Sequence, residues 1–374
     1  MTRTSDDPRG GFLGELKDAV SVRAALLVTG VLALQLTFIT SYIGAFHSPE
    51  PHRIPLAVTA PSSQVSDEAL YRLSTLPGEP LDPRPVPNEA AAIEQIKNRD
   101  IDGALVLGPG GTGRLLVAGG GGASLSQAIT EVVTAAEKRQ GTTLKVVDVV
   151  PGTRGDGRGL SSFYLVVGWC VGGYLCAAIL GISAGARPAN GSRAVIRLGA
   201  LLLYSIVAGL LGSVIAGPVL DALPGSLPAL WGLGTLLVFA VGSVTLALQG
   251  LMGVIGIGIA ILLVVVLGNP SAGGAYPHPL LPPFWRTIGP ALPPGAGTSA
   301  ARSIAYFRGN GAGGPMLVLS AWAVVGTVLT IAAAVLRPGG IGAGTEAAGS
   351  GAAVGRPAAG AGRAATAGRP DTTG

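Results

Sequence analysis

Residues 108–115, GPGGTGRL, hold two glycines at the spacing of a phosphate-binding loop, G-x-x-x-x-G-K-[ST]. In such a loop backbone N–H groups cradle phosphates, a lysine reaches the outer phosphates and a hydroxyl holds magnesium. Here Arg114 stands at the lysine position and Leu115 at the hydroxyl position. The flanking runs GALVL and RLLVA read as two strands, whereas a phosphate loop must open a helix. The sequence therefore predicts a glycine-rich turn between strands.

A second glycine run is a candidate anion site. Gly119, Gly120, Gly121, Gly122 and Ser124 lie between a strand and a helix start, where free N–H groups attract negative charge. The alternative is a flexible connection that lets the helix pack on the sheet. His47 and His52 lie among Pro49, Pro51 and Pro55. With no third ligand in reach, they read as part of a stiff extended spacer rather than a metal pair. His278 reads as structural. Cys170 and Cys176, six apart in an apolar run, point in different directions on a helix, so no disulfide is expected. No Ser-His-Asp or HExxH arrangement stands out, so the sequence predicts no enzyme, metal or cofactor.

The elements that carry these residues are mostly apolar. Of 374 residues 48% are apolar and 12% charged, with 60 glycines and a mean hydropathy of +0.55. Soluble domains carry about a quarter charged residues, so this composition indicates a membrane protein. The net charge of +5 is scattered without aromatic interleaving, so no nucleic-acid partner is expected. Charge-free runs long enough to cross a bilayer lie at 24–46, 161–181, 198–219 and 315–336. Ser161 and Ser162 stand where a helix cap would. The stretch 228–268 is about twice one span, and Gln249-Gly250 is its only polar break. It reads as two helices joined by a tight hairpin, giving six transmembrane helices.

Between the first and second spans, residues 47–160 alternate short apolar runs with helical periods and read as a small α/β domain with its own core. IPLAVTA, GALVL, RLLVA and TLKVVDV are predicted strands. Val65, Leu70, Leu73 and Leu76 suggest a helix face. Asn88 can cap a helix carrying Ile93 and Ile96. Ser124 and Gln127 form a capping box opening a helix to Arg139.

Arginines set the expected direction. Arg187, Arg193 and Arg197 follow the second span without an acid, and Arg337, Arg356, Arg363 and Arg369 lie in the tail. Both termini and the 187–197 loop are therefore expected in the cytoplasm, with 47–160 and 269–314 outside. Arg286, Arg302 and Arg308 oppose the rule in the second outer segment. Residues 1–23, with Phe12, Leu16, Ala19 and Val20 at helical spacing, read as an amphipathic segment on the inner surface. The Gly/Ala/Thr-rich tail, 337–374, is expected to be disordered. From Leu160 to Leu336 the only acid is Asp221, in a loop, which disfavours proton-coupled transport. Gly168 and Gly172 form a GxxxG, read as helix packing within one subunit in preference to a dimer face.

One span, a large outer domain and then five spans with a short basic inner loop resembles the type-2 ABC exporter permeases, in particular the branch with phage-infection-protein-like architecture. FHSPEPHRIPLAVTAP, GRGLSSFYLVVGW and LGNPSAGGAYPHPLLPPFWRTIGPALPPG carry the likeness, which covers about 20–337. It implies an export permease of the plasma membrane, a homodimer in membrane lipid, working with a separate ATP-binding subunit that docks at the loop of Arg187, Arg193 and Arg197. It also implies that Asn269, Pro270, Pro282, Pro283, Phe284 and Trp285 belong to an outer re-entrant loop, 269–314, capping the pathway. Proline and glycine there disfavour a lipid-exposed helix, and Phe284 and Trp285 suit an interface. The alternative from another class is an envelope scaffold or receptor whose outer domain binds a partner or ligand.

Overall fold

The computed structural model describes residues 22–183 and 190–336. Residues 1–21 of the predicted amphipathic segment, the tail and Arg187 lie outside the described residues. The chain is mostly helical; among the described residues five helices are long and apolar enough to cross a membrane, and there is one small sheet.

Helix α1 (Val22–Phe46) precedes the α/β part. Then come β1 (Ile54–Thr59), α2 (Ser63–Ser74), β2 (Leu81–Pro85), α3 (Glu89–Asn98), β3 (Gly103–Leu107), β4 (Thr112–Val117), α4 (Ala123–Lys138) and β5 (Thr143–Asp148). The strand order is β2-β1-β3-β4-β5, with β3 and β4 antiparallel and the other neighbours parallel. Alternation along the strands divides the core between the two faces. Leu56, Val58, Leu105, Leu115 and Val117 face α2 and α4, while Ala57, Ala104 and Leu116 face α3. Ser62 caps α2 and Asn88 caps α3 through their side-chain oxygens. Arg72 of α2 pairs with the buried Glu137 of α4 at 2.8 Å.

One strand of this part was not predicted, and one reading is corrected. The segment LDPRP is a fifth strand. Its prolines argue against a strand, yet β2 lies at the edge of the sheet, where a missing N–H donor is tolerated. The Ser124–Gln127 capping box does not form. The residue before α4 is Gly122, the Ser124 hydroxyl donates to Ala275 O at 2.8 Å, and Gln127 donates to Glu131.

The long helices that follow are α5 (Ser161–Ser183), α6 (Gly191–Val214, running on to Val219), α7 (Leu227–Met252) and, last, α11 (Gly313–Val335). Helix α7 is the central one, packed against α5, α6 and α11. Small residues bring its neighbours close: a Cβ on Gly173 of α5 would come 2.7 Å from Val238 O, one on Gly209 of α6 2.6 Å from Thr235 N, and one on Gly326 of α11 2.6 Å from Val244 N. Helix α1 is the opposite case, with Leu26 69% and Val28 67% exposed. It meets the rest near its end, where Ser41 and Tyr42 donate to the carbonyls of Val266 and Val265.

The hairpin falls three residues later than Gln249-Gly250. Gln249 stays inside α7, 1% exposed, and the chain reverses at Gly253, whose φ of 67° and ψ of −136° end the helix. The returning helix, α8 (Val254–Ile261), continues through wide turns to Ser271. Its apolar stretch is shorter than the five candidate spans. The Ser161-Ser162 cap is also corrected: the Asp156 carboxylate accepts from Ser161 N at 2.8 Å, and Ser162 is buried with its hydroxyl unpartnered.

The segment 269–314 is more helical than its prolines and glycines suggest. It holds α9 (Pro283–Ile288) and α10 (Pro293–Tyr306), and α10 opens with Pro293 and Pro294, where missing N–H groups cost nothing. All of α10 except Ser299 and Tyr306 is buried, packed against α5, α7 and α11. Proline and glycine thus exclude a lipid-facing helix here, and the helix that forms is enclosed by protein. Asn269 and Pro270 are buried at the end of the returning helix. Pro282 and Pro283 start α9, whose Phe284 is exposed and meets Trp285 edge-on at 4.9 Å.

Candidate functional site

The sheet does not complete its own core. Leu280 and Tyr276 pack on the face that carries α2 and α4, and Phe307 and Tyr306 pack on the face that carries α3. All four belong to 269–314, so the α/β part is seated on the segment that contains α10. Between them lies a cavity of about 180 Å³, lined by Arg99, Asp102, His278, Ser299, Arg302 and Phe307 among others.

Arg302 is 4% exposed and projects from α10, a helix otherwise of small and apolar residues. Its Nη1 donates to Gly273 O at 2.6 Å, and its Nη2 donates to Gly274 O at 2.7 Å and Gly159 O at 3.2 Å. It joins α10 to the turn after α8 and to the linker before α5. Its Nε is buried without a partner. Arg99 approaches from the other side, at the C-terminal end of α3 in the left-handed conformation (φ 65°). Its Nη1 donates to Ser303 Oγ at 2.6 Å and Ser299 O at 2.9 Å, and its guanidinium lies 5.1 Å from the Phe307 ring centre. Next to the cavity, Asp156 Oδ2 accepts from Tyr306 OH at 2.6 Å.

Burial sets the protonation of these groups. Loss of water pushes the Asp102 carboxyl up to about 6, against the pull of Arg99. Burial, aided by the Arg302 charge, pushes His278 down to about 4. Its Nε2 lies 3.2 Å from Ser271 O, which can only accept, so Nε2 carries the proton and Nδ1 is a bare acceptor. Burial and the Arg99 charge lower Arg302 to about 10, leaving it cationic at neutral pH.

The sequence-predicted sites fare differently. The candidate anion site at Gly119, Gly120, Gly121, Gly122 and Ser124 is already satisfied from within. Gly119 N donates to the Asp148 carboxylate, Gly120 N to Val150 O, Gly121 N to Ala118 O and Gly122 N to Gly119 O. The connection does let α4 pack on the sheet, and it also meets the 269–314 segment closely. A Cβ on Gly120 would come 2.6 Å from Tyr306, and one on Gly122, at φ 138°, 2.6 Å from Pro277. These glycines allow close contact with the 269–314 segment. GPGGTGRL is a turn between antiparallel β3 and β4, with Gly110 at φ 73° and Arg114 paired to Glu89.

The basic loop is corrected as well. Helix α6 begins at Gly191, capped by Asn190, so Arg193 and Arg197 stand on a helix, and Arg197 is buried. Gly168 has no atom within 4 Å of an added Cβ, whereas one on Gly172 would come 2.9 Å from the Tyr204 hydroxyl of α6, so only the second glycine of the GxxxG serves close packing; both line a cleft between α5 and α6. Both cysteines are free thiols. Among the described residues no three His, Cys, Asp or Glu side chains are grouped to hold a metal.

Sequence reasoning missed the Arg99–Arg302 chamber. The available signal was Arg302 itself, an arginine set against the charge rule inside TSAARSIAY. No protein-family model, curated protein or solved structure matches this chain.

Proposed function

We propose that the chain is the permease subunit of an exporter, six crossings in the plasma membrane with both termini in the cytoplasm, driven by a separate ATP-hydrolysing subunit. The supporting observation is an apolar cleft of about 460 Å³ between α5 and α6, at the end of the bundle that carries the α/β part. Tyr164, Gly168, Gly172, Tyr204, Gly212 and Ile215 line it. Its volume falls in the range of small-molecule sites. Tyr164 and Ile215 are exposed, so the cleft faces the surrounding membrane. It suits an apolar molecule crossing between bilayer and protein. The enclosed α10 and the α/β part seated on it would cap the pathway. A second copy would cover α1, and the partner would dock around Arg193 and the segment before it.

Purification from gently solubilised native membranes tests this reading. A nucleotide-hydrolysing subunit should accompany the chain, and the chain alone should hydrolyse no ATP. Recovery without such a subunit overturns the export reading and leaves an envelope receptor or scaffold, a reading that the polar chamber favours.

A further inference from the structure

We propose that the chamber between Arg99 and Arg302 is a binding site for one small free oxyanion. Two guanidiniums line one enclosed space, and among the described residues neither forms an ion pair. A buried cation without a counter-charge is costly, typically several kcal/mol. All Arg302 hydrogen bonds run to neutral carbonyls, which orient the group, and Asp156, whose charge attracts Arg302 from a distance, accepts from Tyr306 and from Ser161 N instead of from the guanidinium. Its Nε–H, buried and unpartnered, is the donor left over. Arg99 engages only its Nη1, so the other donors of its fork are free for a ligand. A cavity of about 180 Å³ has room for an oxyanion with a few waters and none for a bulky molecule. The site is independent of whether the chain exports anything.

The groups around the chamber predict how binding depends on pH. They are Arg99 and Arg302, Asp102 before β3, His278 in the segment after α8, and Asp156 and Tyr306 bonded to each other beside α10. Asp102 changes charge near 6, whereas His278 is neutral above about 4 and Arg302 is charged below about 10. Above pH 6 the lining side chains sum to two positive charges minus one, a net +1, and below it to +2. Anion affinity therefore rises as pH falls through about 6.

Sulfate is the probe, since its charge is constant over this range. Thermal unfolding of the purified full chain in detergent is followed against sulfate at fixed ionic strength, at pH 5.5 and pH 8. Saturable stabilisation is expected, with affinity about tenfold higher at pH 5.5, the scale of one nearby charge. Asp102→Asn should bind about tenfold more tightly than the unmodified chain at pH 8 and equally at pH 5.5. Arg99→Gln should lose the saturable component. Equal sulfate stabilisation of Arg99→Gln and the unmodified chain would reveal a general salt effect and overturn the site. If Arg99→Gln fails to fold, Asp102→Asn decides alone, and affinities equal to those of the unmodified chain at both pH values overturn the proposal.

Discussion

Adding one methyl group at Gly120 should loosen the seat of the α/β part. A Cβ there would lie 2.6 Å from Tyr306 Cγ, 2.8 Å from its Cβ and 2.9 Å from its Cδ1. Carbon atoms settle at about 3.5–4.0 Å, so ring or loop must retreat by about 1 Å. The ring is not free to do so, because its hydroxyl is bonded to Asp156, which also holds the first N–H of α5. The loop is held too, by Gly119 on Asp148 and Gly120 on Val150. Overpacking costs about 1–3 kcal/mol, and a weakened hydrogen bond to a charged group adds about 1 kcal/mol. Gly120→Ala should therefore cost about 2–4 kcal/mol, concentrated at this junction.

Hydrogen exchange of the amides at 119–122 and along α10 measures it. Each 1.4 kcal/mol is tenfold, so exchange should accelerate by about thirtyfold or more. Gly157→Ala is the control, since no atom lies within 4 Å of its added Cβ and its φ of −56° suits alanine. It should change exchange little. Tyr306→Ala in the Gly120→Ala background should cost less than the sum of the single changes, because the obstructing ring is gone. Exchange in Gly120→Ala no faster than in Gly157→Ala would refute the idea that the glycines serve this contact.

Residues 53–150 expressed alone should be less stable than within the chain. They lose Leu280 and Phe307, 3% and 5% exposed, each worth about 1.5–3 kcal/mol of burial; amide protection in β1 and β3 equal to that of the full chain would count against a shared core. Arg114→Ala should leave stability within about 1 kcal/mol, since its ion pair with Glu89 is exposed. Thermal unfolding with and without magnesium-ATP should respond identically in this variant and the parent, and nucleotide stabilisation present only in the parent would revive a phosphate site at 108–115.

Much of this molecule was legible in its sequence, because its strongest signals are local. Charge-free runs of about 20 residues can satisfy their backbone in lipid only as helices, so four predicted spans coincide with long helices to within a few residues at most ends. Short apolar runs located β1, β3, β4 and β5, and Asn88 announced the start of α3. Arg114 and Leu115, with the strand-like flanks GALVL and RLLVA, turned GPGGTGRL into a reading of a turn between strands.

What stayed hidden depended on partners distant in the chain. LDPRP is a strand because β1 offers it an edge, a fact outside its own residues. The glycine run at 119–122 has the composition of a flexible loop, and only the arrival of Tyr306 and Pro277 makes it a close contact. Helix α10 begins with two prolines and contains two glycines, so its local propensity is weak, and burial among α5, α7 and α11 decides in its favour. Arg99 and Arg302 lie 203 positions apart, and no spacing rule could join them. Local signals located the long apolar helices, four of the five strands and the turn at 108–115, because hydrophobic period and backbone satisfaction act over neighbouring residues. The tertiary structure alone decided that two arginines share one enclosed chamber, because burial and charge act between residues brought close in space.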